Sequence, residues 1–138
     1  MSNQRIPSKA FQTALWTAQV VLTAMFLAAG FMKTTQPIEK LAVMLPWAGE
    51  IPVAMVRFIG LGEFLAAIGL LLPSVLRIAP QLTYWAATGI AAIMLLAVIF
   101  HIARGEAPVI VVNIVIGSIA LFVAWGRARK APIPSRVS

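Results

Sequence analysis

The sequence predicts an all-α integral membrane protein: an antiparallel up-down-up-down bundle of four transmembrane helices with a short outer interfacial helix. Three observations carry that expectation. Apolar residues make up 61% of the 138 and charged residues 11%, against roughly 45–50% and about 25% in soluble domains. The apolar residues fall into four stretches, at about 10–32, 52–72, 82–103 and 108–125. Each is close to the ~17–25 residues that a helix needs to cross a bilayer core of about 30 Å. A spanning β-barrel would show alternating segments of ~10 residues, and none occurs. One membrane domain, 1–138, is expected at this length.

The first span follows Arg5 and Lys9, which resemble the basic start of a signal peptide. Its apolar run is longer than the ~7–15 residues of such a leader, so the span is expected to be retained. The connection that follows, 33–51, is the long one. Ile38, Leu41, Ala42 and Leu45 fall on one face of a helix at about 37–45. Pro37 suits its first turn, Glu39 favours the same end, Pro46 stops it, and Trp47 suits a headgroup layer. The turns Pro73–Gln81 and Arg104–Pro108 are short and force antiparallel neighbours. The basic tail 130–138, with Pro132 and Pro134, reads as disordered.

Basic residues are unevenly placed. Arg5, Lys9, Arg77, Arg127, Arg129, Lys130 and Arg136 fall on one side, and Lys33, Lys40 and Arg104 on the other. Positive charge stays cytoplasmic, so both termini are expected in the cytoplasm and the protein in the inner (plasma) membrane. The net charge of +7 is a topology signal that also attracts anionic lipid. These charges flank spans and form no groove-filling motif, so no nucleic-acid partner is expected.

The polar residues inside the spans locate a candidate site. Glu63 lies mid-span and Arg57 shares its span; a charge there costs about 2.5–3.5 kcal/mol on insertion scales. Lys33 closes the first span, Arg57 and Asn113 lie shallow in the second and fourth, and His101 and Glu106 flank the last turn. These five belong to the outer half of the bundle, and Glu63, about 16 Å from Pro52 at helical rise, forms their floor. Gln19 shares a face of the first helix with Gln12, Trp16, Thr23, Gly30 and Lys33. Small-residue stripes at Gly60, Glu63, Ala67 and at Gly62, Ala66, Gly69 mark packing faces of the second span, and Asn113, Gly117, Ala120, Ala124 those of the fourth.

Arg57 and Glu63 are six residues apart, about 240° around one helix, so Glu63 is expected to meet Gln19, Asn113 or His101. Arg57 is expected to reach the interface and a lipid phosphate. The candidate ligand-binding set is Glu63, His101, Arg57, Lys33, Asn113 and Gln19, with no catalytic residue and no metal ligand assigned. A structural network that locks helix register explains the same residues.

The absence of cysteine excludes thiol–disulfide chemistry and thiolate-held iron–sulfur or haem. One histidine does not make a bis-histidine haem or a histidine-rich metal site. No phosphate-binding loop, nucleophile elbow or metalloprotease motif occurs. A redox cofactor would be shared with a partner or be diffusible, as quinone is.

Gly30-Phe31-Met32-Lys33, then Arg57-Phe58-Ile59-Gly60-Leu61-Gly62-Glu63 with Ile68-Gly69-Leu70-Leu71-Leu72-Pro73, then His101 ahead of Arg104-Gly105-Glu106, resembles the DoxX-like (DoxX/DoxD-related) membrane proteins over about residues 10–127. The resemblance implies a four-helix inner-membrane protein. Some relatives are small subunits of thiosulfate:quinone oxidoreductase or partners of membrane oxidoreductases, which the resemblance extends to this chain as an expectation, with Lys33, Glu63 and His101 as the carried-over positions.

Three functions fit these residues. The first is an accessory subunit, not an enzyme on its own, with an outer-half pocket for a lipid-soluble ligand such as quinone. There Glu63 and His101 exchange protons with the ligand, and Lys33 and Arg57 hold an anionic group. The second is an assembly or chaperone factor, and the third a small proton-coupled transporter. The partners expected are the lipid bilayer, a larger oxidoreductase or other membrane protein, and further copies of the chain.

Overall fold

The computed structural model describes residues 6–137. Four long apolar helices form the bundle: α1 (Lys9–Thr35), α3 (Val53–Leu76), α4 (Gln81–Arg104) and α5 (Ala107–Trp125), with the short α2 (Ile38–Met44) in the first connection. There is no strand among the described residues. By length and hydropathy all four long helices can cross a membrane. Successive spans run in opposite directions, so the first connection and the α4–α5 turn share one end, the loop end. The two chain termini and the α3–α4 turn share the other.

Local chemistry sets the ends of these helices. Ser8 accepts a side-chain hydrogen bond from the Phe11 N–H and starts α1, as expected of an N-cap serine. Thr34 and Thr35 donate back to the carbonyls of Gly30 and Phe31, and Pro37 stops the helix. α2 and the 3₁₀ turn Pro46–Gly49 fold over the loop end, where Leu41, Ala48 and Val56 are buried together. Gly105, at φ +71°, closes α4 in the left-handed conformation that glycine adopts without strain.

Two expectations at the terminal end are corrected. The second span does not stop at Leu72: α3 runs through Pro73 to Leu76. A membrane helix tolerates an internal proline because its neighbours supply the freed backbone groups with partners. The tail is also not free chain. A π-helical turn, Gly126–Lys130, continues α5, and Ala131 is buried. The Arg136 N–H donates to the Arg77 carbonyl at 2.7 Å, and Arg77 Nε donates to the Pro134 carbonyl. Ser138 lies outside the described residues.

α1 packs closely on α3 and α4 on α5, α3 joins the two pairs, and α1 meets α5 at few points. The core runs through Leu22, Phe26, Leu70, Ile90, Ala120 and Val123. Large apolar side chains cover the outside, among them Phe58, Leu65, Leu96 and Leu121. That surface suits acyl chains rather than water. Gly62, expected on a packing stripe, faces open space on this outer surface, whereas Gly69 and Gly117 do face neighbouring helices.

Candidate ligand site

The site begins with two glycines. A Cβ on Gly30 would lie 2.7 Å from the Gly60 carbonyl oxygen and 2.6 Å from the Phe64 nitrogen, and one on Gly60 would lie 2.6 Å from Lys33 Cβ. Backbone therefore touches backbone where α1 crosses α3, a closeness that glycine permits. One turn further along each helix stand Lys33 and Glu63. Lys33 Nζ donates to both carboxylate oxygens of Glu63 at 2.7 Å, with both side chains buried. The expected partners of Glu63 were Gln19, Asn113 or His101; its observed partner is Lys33. The long lysine stem reaches down the bundle to the carboxylate.

Arg57 does not reach out to a lipid phosphate. Its Nη1 donates to the Lys33 carbonyl at 2.6 Å and its Nη2 to the Gln36 carbonyl at 2.7 Å. The last carbonyls of a helix lack internal partners and carry partial negative charge, so Arg57 fastens the end of α1 that bears Lys33. The Trp47 ring lies 5.8 Å from Lys33 Nζ, a cation–π distance. Arg57 thus supports the ion pair from behind.

Beside the pair is a cavity of about 150 Å³. Lys33 and Glu63 form its charged wall; Met25, Phe26 and Met94 give it apolar sides, and Asn113 of α5 faces it from across the bundle. Asn113 is buried and its Nδ2 has no hydrogen-bond partner. A buried donor without an acceptor costs about 1–3 kcal/mol. The cavity wall therefore carries an unused donor beside a matched pair of opposite charges.

His101 does not line the cavity. Its Nδ1 lies 2.5 Å from Glu106 Oε2, across the α4–α5 turn. Arg104 Nε donates to Glu106 at 3.0 Å, and its Nη groups grip Glu50 of the first connection. Hydrogen bonds from Arg104, and then from His101, hold the Glu106 carboxyl below the ordinary carboxylate range. Arg104 does the same to Glu50. This cluster ties the long connection to the α4–α5 turn and roofs the loop end.

Gln19 belongs to a different centre, at the terminal end. Its Nε2 donates to the Leu70 carbonyl and to Ser74 Oγ, and its Oε1 accepts from Arg127 Nε at 2.6 Å. Arg127, 3% exposed, also donates to Gln12 and to the Ala131 carbonyl and lies 4.8 Å over the Trp16 ring. Ser74 and Thr83 hydroxyls meet at 2.6 Å, so one network links all four spans. Sequence reasoning assigned Arg127 to topology and missed this role. The available signal was Gln12, Trp16 and Gln19 on one face of α1, a polar stripe that needs a partner.

The arrangement can donate to a carbonyl from Asn113, accept from a hydroxyl at Glu63, and offer Lys33 to a partial negative charge. The family model described as DoxX-like matches residues 17–123 of the chain, which include both glycines, the ion pair, Asn113 and His101. No curated protein and no solved structure matches it.

Proposed function

The chain belongs to the DoxX-like family and is a multi-pass membrane protein, and from that premise we propose that it is an accessory subunit that binds a small lipid-soluble ligand, quinone in the first place, beside Lys33 and Glu63. The reading rests on one observation, the unpartnered Asn113 Nδ2 on the wall of a cavity that the ion pair also lines. A quinone carbonyl would satisfy that donor. A reduced quinone would offer a hydroxyl to Glu63, and Lys33 would polarise the second oxygen. A cavity of about 150 Å³ accepts a benzene-sized ring, so the head group alone enters. In this reading Lys33, Glu63 and Asn113 touch the ligand. Arg57 and His101 support the loop end, and Gln19 holds the far end of the bundle. The partner is a larger membrane oxidoreductase, and the membrane is the plasma membrane with both termini in the cytoplasm.

Binding of a short-chain quinone to the protein in lipid nanodiscs tests this. The wild type should show saturable binding. Asn113→Leu, which removes the donor and fills the cavity, should weaken binding about tenfold or more, the equivalent of about 1.4 kcal/mol. It should not lower stability, because an unsatisfied polar group is exchanged for an apolar one. Absence of saturable binding in the wild type sinks the proposal.

The Arg127 network favours a second reading. A bundle cross-linked at one end by Gln12, Gln19, Ser74, Thr83 and Arg127 is a rigid body suited to hold another membrane protein during assembly. Under that reading the chain copurifies with one larger membrane protein, and Asn113→Leu leaves the association intact.

A further inference from the structure

We infer that the ligand carries one long apolar chain, with its neutral polar head in the Lys33–Glu63–Asn113 cavity and its chain laid along the seam between α1 and α5. This rests on the head-site reading above and extends it down the bundle. The two tightly packed helix pairs leave the α1–α5 seam as the weakly closed side of the molecule. The seam holds two hollows. Met25, Ala29 and Lys33 of α1 and Asn113 and Ile116 of α5 border the polar cavity. Below it, Ala14, Thr17, Ala18 and Val21 of α1 and Ile119 and Phe122 of α5 border an apolar groove of about 720 Å³.

One helical turn, about 5.4 Å, separates the two: Val21 to Met25 on α1 and Ile119 to Ile116 on α5. The exposed Met25 side chain stands at the junction, and methionine is unbranched and adaptable. From Ala29 to Ala10, which edges the groove at its far end, the seam runs about 28 Å at helical rise. That length matches most of a bilayer core.

Small residues on α1 alone would suggest nothing more than a helix-packing face. Here the same two helices also frame a cavity with a buried donor that lacks a partner. A second copy of the chain pressed into the groove would leave that donor unanswered, whereas one elongated molecule occupies both hollows. The head must be neutral overall, because Lys33 and Glu63 already balance each other and a charged head would leave one of three buried charges unmatched.

The test is a series of quinones with one common head and no tail, one isoprene unit or two, bound to the protein in nanodiscs. A chain leaving lipid gains little from the hydrophobic effect, since acyl chains are equally apolar; the gain comes from dispersion contacts and tethering. The expected result is a several-fold rise in affinity with tail length for the wild type. Ala18→Leu, which fills the groove, should abolish the rise and leave the tailless head bound as before. Ala24→Leu, exposed and outside both hollows, should keep the rise and serves as the folding control. A photoreactive group at the tail end should label Ala14–Val21 or Ile119–Phe122. A rise unchanged by Ala18→Leu, or a tailless head that binds with no rise at all, overturns the chain assignment alone. Labelling of the groove by a second copy or a phospholipid while the tailed quinone is bound does the same. Failure of every member to bind overturns the head site and this inference together.

Discussion

Gly30 and Gly60 touch through their backbones where α1 crosses α3, and the contact lies one turn from the charges it brings together. A Cβ on either glycine would come within 2.7 Å of backbone or of the Lys33 stem, and a helix backbone moves only with its whole helix. Gly30→Ala and Gly60→Ala should each destabilise the bundle by about 1–3 kcal/mol, as overpacking does. Gly62→Ala, which meets open space, should be neutral or gain up to about 1 kcal/mol of helix propensity. Unfolding in detergent with increasing dodecyl sulfate measures all three. Equal effects at Gly60 and Gly62 would mean that the crossing is not tight.

The ion pair beyond the crossing is buried, so its two members should depend on each other more than either stabilises the fold. Glu63→Gln leaves the Lys33 ammonium without its carboxylate, and loss of one partner of a buried pair costs about 3–5 kcal/mol. Lys33→Met with Glu63→Leu removes both charges and should recover most of that loss. A double-mutant cycle of unfolding free energies reads the coupling. Additive effects would place the two groups apart or in water.

Much of this is legible in the sequence. The four spans follow from runs of about twenty apolar residues, and a carboxylate among them has to face inward. The spacing that makes the site, Gly30-x-x-Lys33 against Gly60-x-x-Glu63, was present in the chain. Its meaning depends on how two helices rotate about their axes, which a pattern of small residues marks only to within a face. Gly62 shows this, since it carries the same stripe signal and faces outward. Gln19 misled because depth along a helix does not say which end of a neighbour it meets. Arg127 was hidden because a basic residue just past a span reads first as a topology signal. Pro73 read as a helix end by rules for water, where a freed carbonyl has solvent instead of neighbouring helices.

Among the described residues Arg127 has no acidic partner: the four acidic side chains of the sequence, Glu39, Glu50, Glu63 and Glu106, lie outside its network. Its guanidinium is held by neutral oxygens of Gln12, Gln19 and Ala131 and by the Trp16 face. Lysine has neither the planar fork nor the stacking surface. Arg127→Lys should therefore be nearly as damaging as Arg127→Met, each by about 1–3 kcal/mol through acceptors left unpaired. Loss of stability in Arg127→Met but not in Arg127→Lys would mean that a single cationic donor suffices and the planar fork adds nothing.

The orientation is open to a direct measurement because the chain has no cysteine. Single cysteines at Ser8→Cys, the N-cap of α1, and Glu39→Cys, in α2 beyond the other end of α1, lie on opposite sides of the first span. Under the proposed orientation, drawn from the distribution of Lys and Arg, a membrane-impermeant maleimide added to intact cells should label the position-39 cysteine and spare the one at position 8. The reverse pattern would invert the bundle and place the Lys33–Glu63 cavity in the cytoplasmic leaflet.

The clamp at the loop end should respond to acid through its carboxylates. Glu106 and Glu50 are held below the ordinary carboxylate range by Arg104, with His101 adding to the effect at Glu106. A group whose folded value is lowered contributes stability above its unfolded value and loses it as pH falls through the folded one. The connection should therefore stay fastened at neutral pH and loosen below about pH 4. Spin labels at Val43→Cys in α2 and Ala107→Cys at the start of α5 report that separation. The distance distribution should be narrow at neutral pH and broaden in strong acid, and Glu50→Gln should broaden it at neutral pH because Arg104 then loses its ion-pair partner in the first connection. Broadening that sets in well above the carboxylate range would take control of the clamp away from Glu50 and Glu106. Indifference to Glu50→Gln would show that the buried contacts of Leu41, Ala48 and Val56 hold the connection without the charges.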